Sequence, residues 1–135
     1  MGILPYIHFR GDCAEALTFY RDTFGGTDLQ MMRYSEAPGA PGDAGDRVIH
    51  GQVMLDGAPL FASDYPPGMT GDPQQAVSIC HTVADPDRGR ALFEALRVGG
   101  ETVAPFEATF FSPGFGMLKD RFGTHWMIMA GAPGT

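Results

Sequence analysis

The feature that most constrains this chain is an internal repeat. Residues 5–64 and 77–130 each read as a strand, a helix closed by Gly-Gly, and three further strands. The helical segments carry the clearest echo, with Ala16-Leu17 ahead of Gly25-Gly26 in one half and Ala91-Leu92 ahead of Gly99-Gly100 in the other. A unit of roughly 70 residues is too long for a solenoid repeat and short for an ordinary complete domain. Two half-domains sharing one sheet system are therefore expected: module one at 5–64, a linker at 65–76 and module two at 77–130, within a single domain spanning 1–135.

The totals narrow the partners. A chain of 135 residues with 44% hydrophobic residues can bury a core of its own. The formal net charge of −7 comes without a run of Lys or Arg, which argues against nucleic acid or an anionic membrane surface. No apolar stretch approaches membrane-spanning length. The opening residues, MGILPYIHF, lack a basic region followed by a long apolar one, so no secretory leader is expected. Cys13 and Cys80 stand far apart without metal-knuckle spacing, in keeping with a reducing, cytoplasmic setting.

In the first strand, Ile7 and Phe9 share one face and His8 takes the other. Asp12 with Glu15 three residues on has the form of a capping box, and Cys13, Leu17, Tyr20 and Phe24 follow at helical spacing to the Gly25-Gly26 stop. Residues 27–34 read as a strand, and 35–46, rich in Pro, Gly, Ala and Asp, as a mobile loop. Strands at 47–55 and 59–64 form a hairpin about Asp56-Gly57, with His50, Gln52 and Met54 on one face of the first and Ile49, Val53 and Leu55 on the other. In the second half, a strand at 77–83 leads to Asp85-Pro86, a cap followed by proline at the first helical position. Leu92, Ala95 and Leu96 form that helix's apolar stripe, and strands at 101–106, 117–120 and 125–130 complete the module.

These segments resemble the glyoxalase, bleomycin-resistance and extradiol-dioxygenase superfamily, the vicinal oxygen chelate proteins, and within it the PhnB-like subgroup labelled demethylubiquinone methyltransferase-like. The resemblance is carried by Pro5 to Phe9 with Gly11 and Asp12, Ala16-Leu17, Phe19-Tyr20, Phe24-Gly25-Gly26, Ile49-His50 and Ala62-Ser63-Asp64. It continues through Phe93 to Gly100, Thr109-Phe110-Phe111, Gly114-Phe115-Gly116, Asp120 to Gly123 and Trp126-Met127-Ile128. It implies an α+β fold in which paired βαβββ modules form curved mixed sheets around a cavity, and commonly a homodimer. In metal-dependent members, His or Glu ligands come from equivalent strands of the two modules. Carried over residue by residue, those positions fall near Pro5 or Tyr6, Ala62, Ser78 and Met127, none a good ligand. No metal residues and no cofactor are expected, with a divalent ion as the minor alternative.

The candidate residues follow from the faces. His50 is the catalytic candidate, as base, hydrogen-bond donor or lone metal ligand. His8, Gln52, Met54, Ser63, Asp64, Phe111 and Trp126 are candidate ligand contacts, with Asp64 weighed against a turn-capping role and the aromatic and Met residues against plain core. A His8, His50 and Asp64 metal set is a further possibility. Arg33 could hold an anion. No Gly-x-Ser-x-Gly elbow and no phosphate-cradling glycine pattern occurs, and no glycine-rich turn suits a nucleotide-like methyl donor. Three readings stand: a small-molecule binding protein without the usual metal; a lyase, isomerase or oxygenase using His50; or an interaction protein with a vestigial cavity.

Overall fold

The computed structural model describes residues 2–40 and 45–131. The first half runs β1 (Tyr6–Phe9), α1 (Cys13–Phe24), β2 (Thr27–Arg33), a 3₁₀ turn (Tyr34–Glu36), β3 (Val48–Leu55) and β4 (Ala58–Asp64); the second runs β5 (Ser78–Val83), α2 (Pro86–Leu96), β6 (Glu101–Glu107), β7 (Gly114–Lys119) and β8 (His125–Ala130). The halves form two compact units, Met1–Pro73 and Gln74–Thr135. Each unit holds one four-stranded sheet, ordered β1-β4-β3-β2 in the first and β5-β8-β7-β6 in the second. The β1–β4 and β5–β8 pairs are parallel and the others antiparallel, so both sheets are mixed and the fold is α+β.

Each helix covers one face of its own sheet. Cys13, Ala16, Leu17, Tyr20 and Phe24 of α1 are buried with Ile7, Phe9, Val53, Leu55, Leu60 and Ala62. In the second unit Leu92, Phe93 and Leu96 of α2 are buried with Val83, Phe106, Leu118, Trp126 and Ile128. Full burial of each large apolar side chain contributes about 1.5–3 kcal/mol. Phe93 takes a core place that the Leu92, Ala95 and Leu96 stripe did not include, while Ala95 is half-buried.

The repeated Gly-Gly has two jobs. Gly25 and Gly99 take left-handed backbone, φ 67° and 77°, ending the helical segments where other residues are strained. At Gly26 a Cβ would meet the Met54 carbonyl oxygen at 2.5 Å, and at Gly100 it would meet that of Lys119. The second glycine thus lets each helix exit pass against a strand of the hairpin. Close approach also explains why β7 begins at Gly114 rather than at 117. Cβ atoms on Gly114 and Gly116 would strike the rings of Phe106 and Phe93, so glycine is what lets those rings lie on the strand.

The start of α1 departs from expectation. The Asp12 side chain makes no cap hydrogen bond, and the capping box with Glu15 does not form. The carboxylate of Asp64, brought beside Phe9 by the β1–β4 register, takes the role instead. Its Oδ1 accepts from the Gly11 and Cys13 amides at 2.8 and 3.0 Å, and its Oδ2 accepts from the Val48 amide at 2.8 Å. In α2 the local cap forms, with Asp85 Oδ1 accepting from the Asp87 amide at 2.9 Å. Of the 35–46 segment, residues 41–44 lie outside the described residues; before them Glu36 Oε1 accepts from the Arg33 amide, and the Arg33 guanidinium donates to the Asp46 carbonyl.

Candidate functional site

Helix α1 occupies one face of the first sheet, and the strand alternation sends a different set of side chains to the other. One row crosses all four strands in register: Tyr6, Phe61, Gln52 and Gln30. Alongside it, His8 pairs with Ser63 and His50 with Met32. The face is therefore rich in rings. Centroid separations are 5.1 Å for Tyr6–His8, 5.8 Å for Tyr6–His50, 5.2 Å for His50–Phe61 and 5.5 Å for His8–Tyr65. Tyr6 and His50 each meet Phe61 edge-on, the arrangement ring quadrupoles favour.

Two polar contacts orient the imidazoles. The Tyr6 hydroxyl lies 3.2 Å from His50 Nδ1, and the Ser63 hydroxyl lies 3.5 Å from His8 Nδ1, with donor and acceptor set by each tautomer. Tyr6 is 42% exposed although it touches three other rings. A cluster of this kind left open rather than sunk in the core is suited to contact a molecule from outside. Gln52 and Met54 extend it, both half-buried.

The structure sorts the sequence candidates. His8, His50, Gln52, Met54 and Ser63 share this face, Ser63 being buried at 6% exposure. Asp64 does not: it is 2% exposed and both its oxygens are taken by backbone amides, so it anchors the fold instead of contacting a ligand. The His8, His50 and Asp64 set fails for the same reason. Trp126 is 2% exposed on the α2 side of the second sheet, with its indole N–H donating to Asp120 Oδ2 at 2.9 Å. It is core, because a large ring in a strand that alternates with Ile128 and Ala130 shares their buried face. Phe111 lies half-exposed between β6 and β7 of the second unit, against Phe110 and Phe115.

Tyr6, Phe61 and Tyr65 are the members sequence reasoning passed over. Tyr6 precedes His8 by two residues, so the period of the strand already put the two on one face. Arg47 was also missed, and its role is structural. Its guanidinium donates to the carbonyls of Arg10, Tyr65, Pro66 and Met69, pinning the turn that follows β4.

The metal-equivalent positions fit poorly. Ala62 is fully buried and faces α1, because the side chains of β4 that reach the open face are Phe61 and Ser63. Among the described residues no group of three His, Cys, Asp or Glu side chains is placed to hold an ion. The donor set therefore does not match a centre built from His and Glu. Cys13, buried at the start of α1, has its thiol pushed far up by desolvation and by the nearby Asp64 and Asp12 carboxylates, which disfavours the thiolate a nucleophile needs.

Two mixed four-stranded sheets, each with one helix, make this a glyoxalase/bleomycin-resistance fold, as in the glyoxylase/bleomycin resistance protein/dioxygenase domain from Frankia sp. EAN1pec (TM-score 0.68, 16% identity, 98% of each chain covered). More narrowly, residues 1–129 match the family model described as 3-demethylubiquinone-9 3-methyltransferase, and the chain belongs to that PhnB-like family. Protein PA1353 from Pseudomonas aeruginosa is 34% identical over 96% of this chain and 97% of its own, with a TM-score of 0.89. The fold is shared also by a PhnB protein from Bacillus cereus, titled a putative 3-demethylubiquinone-9 3-methyltransferase (TM-score 0.74, 24% identity, 97% and 100% covered).

Proposed function

We propose that this chain is a small-molecule binding protein of its superfamily that works without the usual metal centre, its ligand a flat, largely apolar molecule lying against the open face of the first sheet. The observation that carries this reading is the ring cluster of Tyr6, His8, His50 and Phe61, open to solvent through Tyr6 and His8, with the Tyr6–His50 and Ser63–His8 hydroxyl–imidazole contacts as its polar handle. Ring faces supply sequestered contact area at about 0.5–1.5 kcal/mol per aromatic pair beyond burial. The handle supplies orientation. The family label names methyl transfer, but a binding role asks only for the face described, and no donor site for that chemistry was legible in the sequence.

Thermal shift against dicarbonyls, catechols, quinones and aromatic drugs tests this. A ligand at 100 times its Kd stabilises by about 2.7 kcal/mol, and the shift should vanish in Tyr6→Ala. Absence of a shift with every compound would turn the reading towards an interaction protein.

The 3.2 Å contact between the Tyr6 hydroxyl and His50 Nδ1 supports a second reading. A hydrogen-bonded imidazole is equipped to move a proton, as a lyase, isomerase or oxygenase using His50 would require. His50→Gln separates the two: binding with lost turnover favours the enzyme, and lost binding favours the carrier. A homodimer is part of the proposal, and a monomeric mass by light scattering at micromolar concentration would contradict it. No helix among the described residues is long and apolar enough to cross a membrane.

A further inference from the structure

The second sheet presents an open face of a different chemistry. In β8, Trp126, Ile128 and Ala130 are buried under α2, which sends His125, Met127 and Met129 to the other side. The register then builds one rung across the sheet: Cys80 on β5 opposite Met127 on β8, Met127 opposite Met117 on β7, and Met117 opposite Ala104 on β6. Three sulfur-bearing residues are thus cross-strand neighbours on one face. Ala104 at the end of the rung leaves Met117 room on its outer side.

From this rung we propose a binding site for a monovalent soft cation, Cu(I) or Ag(I), held by the thiolate of Cys80 and the thioethers of Met127 and Met117. Neighbouring strands are about 4.8 Å apart, so the three Cα atoms span roughly 10 Å. That is a distance two unbranched thioethers and one thiol can close over a single ion from the same face. Thiolate and thioether donors select Cu(I) over harder divalent ions. Met117 and Met127 are half-buried, while Cys80 is an exposed free cysteine, so the rung has a wet end through which an ion could enter. A free cysteine thiol carries its proton at neutral pH. Uptake then exchanges that proton for the ion, the sulfur keeping one negative charge and the site ending neutral.

Titration of the reduced protein, without oxygen, against Cu(I) held by bicinchoninate tests the site. One equivalent should transfer, with one proton released, and Zn(II) in excess should not displace it. Cys80→Ser should abolish transfer, and Met127→Leu and Met117→Leu should each weaken it by about tenfold or more. Met32→Leu, which removes an exposed thioether from the first sheet, should leave it unchanged. Circular dichroism and melting of each variant confirm that it is folded, the Leu changes being close in volume. Copper left with the chelator by the wild type would overturn the site. So would undiminished affinity in both Leu variants, since that behaviour belongs to a surface thiol acting alone.

Discussion

The two units share one topology and differ in how they begin their helices and in what their open faces carry. Helix α2 is capped by the residue just before it, Asp85, followed by Pro86. Helix α1 is capped by Asp64, which lies 51 residues beyond the amide of Cys13 that it accepts from. One unit solves its helix start locally and the other only once its sheet has assembled. The faces diverge likewise: rings and imidazoles on β1, β3 and β4, sulfur on β5, β7 and β8. A repeated backbone therefore constrains position and leaves side-chain chemistry free to separate.

Substitution can break that contrast at several points. Asp64→Ala should have the largest effect, about 3 kcal/mol or more, because three backbone amides lose their acceptor, two of them in wholly buried contacts. Urea denaturation would measure it as a lower midpoint. A cost no greater than that of Asp85→Ala would remove the distinction between the two caps.

Gly100→Ala comes next, at about 1–3 kcal/mol, because its Cβ would collide with the Lys119 carbonyl and Asp120 backbone. Thermal unfolding should show the drop, and Gly26→Ala should show a matching one if the Gly-Gly pairs are equivalent. Asp85→Ala should cost about 1 kcal/mol, the ordinary value of one side-chain cap.

The smallest effect belongs to Asp12. Burial, with the neighbouring Asp64 charge adding to it, raises its carboxyl above the ordinary 3.8. A raised value favours the protonated form in the folded state, so the contribution to stability is present below pH 3.8 and is lost as pH rises through the folded value. Asp12→Asn should accordingly gain slight stability at pH 7 and none at pH 3. The gain is small because this group stays partly open to solvent. Denaturation midpoints at the two pH values check the sign, and a loss at pH 7 would restore Asp12 as a cap.

Much of the fold was legible along the chain. The Gly-Gly stops, the Asp56-Gly57 hairpin turn and the Asp85-Pro86 helix start depend on residues within a few positions of one another, and all three form. The His50, Gln52 and Met54 face was legible for the same reason, since alternation is local. Asp64 and Trp126, named as candidate ligand contacts and weighed against a turn cap and plain core, both lie buried with their polar atoms hydrogen-bonded. What decided their roles was the neighbour across the sheet: backbone amides at 11, 13 and 48 for one, and the carboxylate of Asp120 for the other.

The sequence by itself determined the order of strands and helices, most of their ends and which residues share a side of each strand, because those follow from backbone freedom and a period of two or 3.6 residues; the start of β7 and the cap of α1 did not follow from it. Only the tertiary structure decided which rows align across strands. The pairing of β1 with β4, and of β5 with β8, joins segments more than 40 residues apart, and register at that distance is set by side chains fitting together rather than by any local preference. The ring cluster of the first sheet and the sulfur rung of the second both come from that alignment.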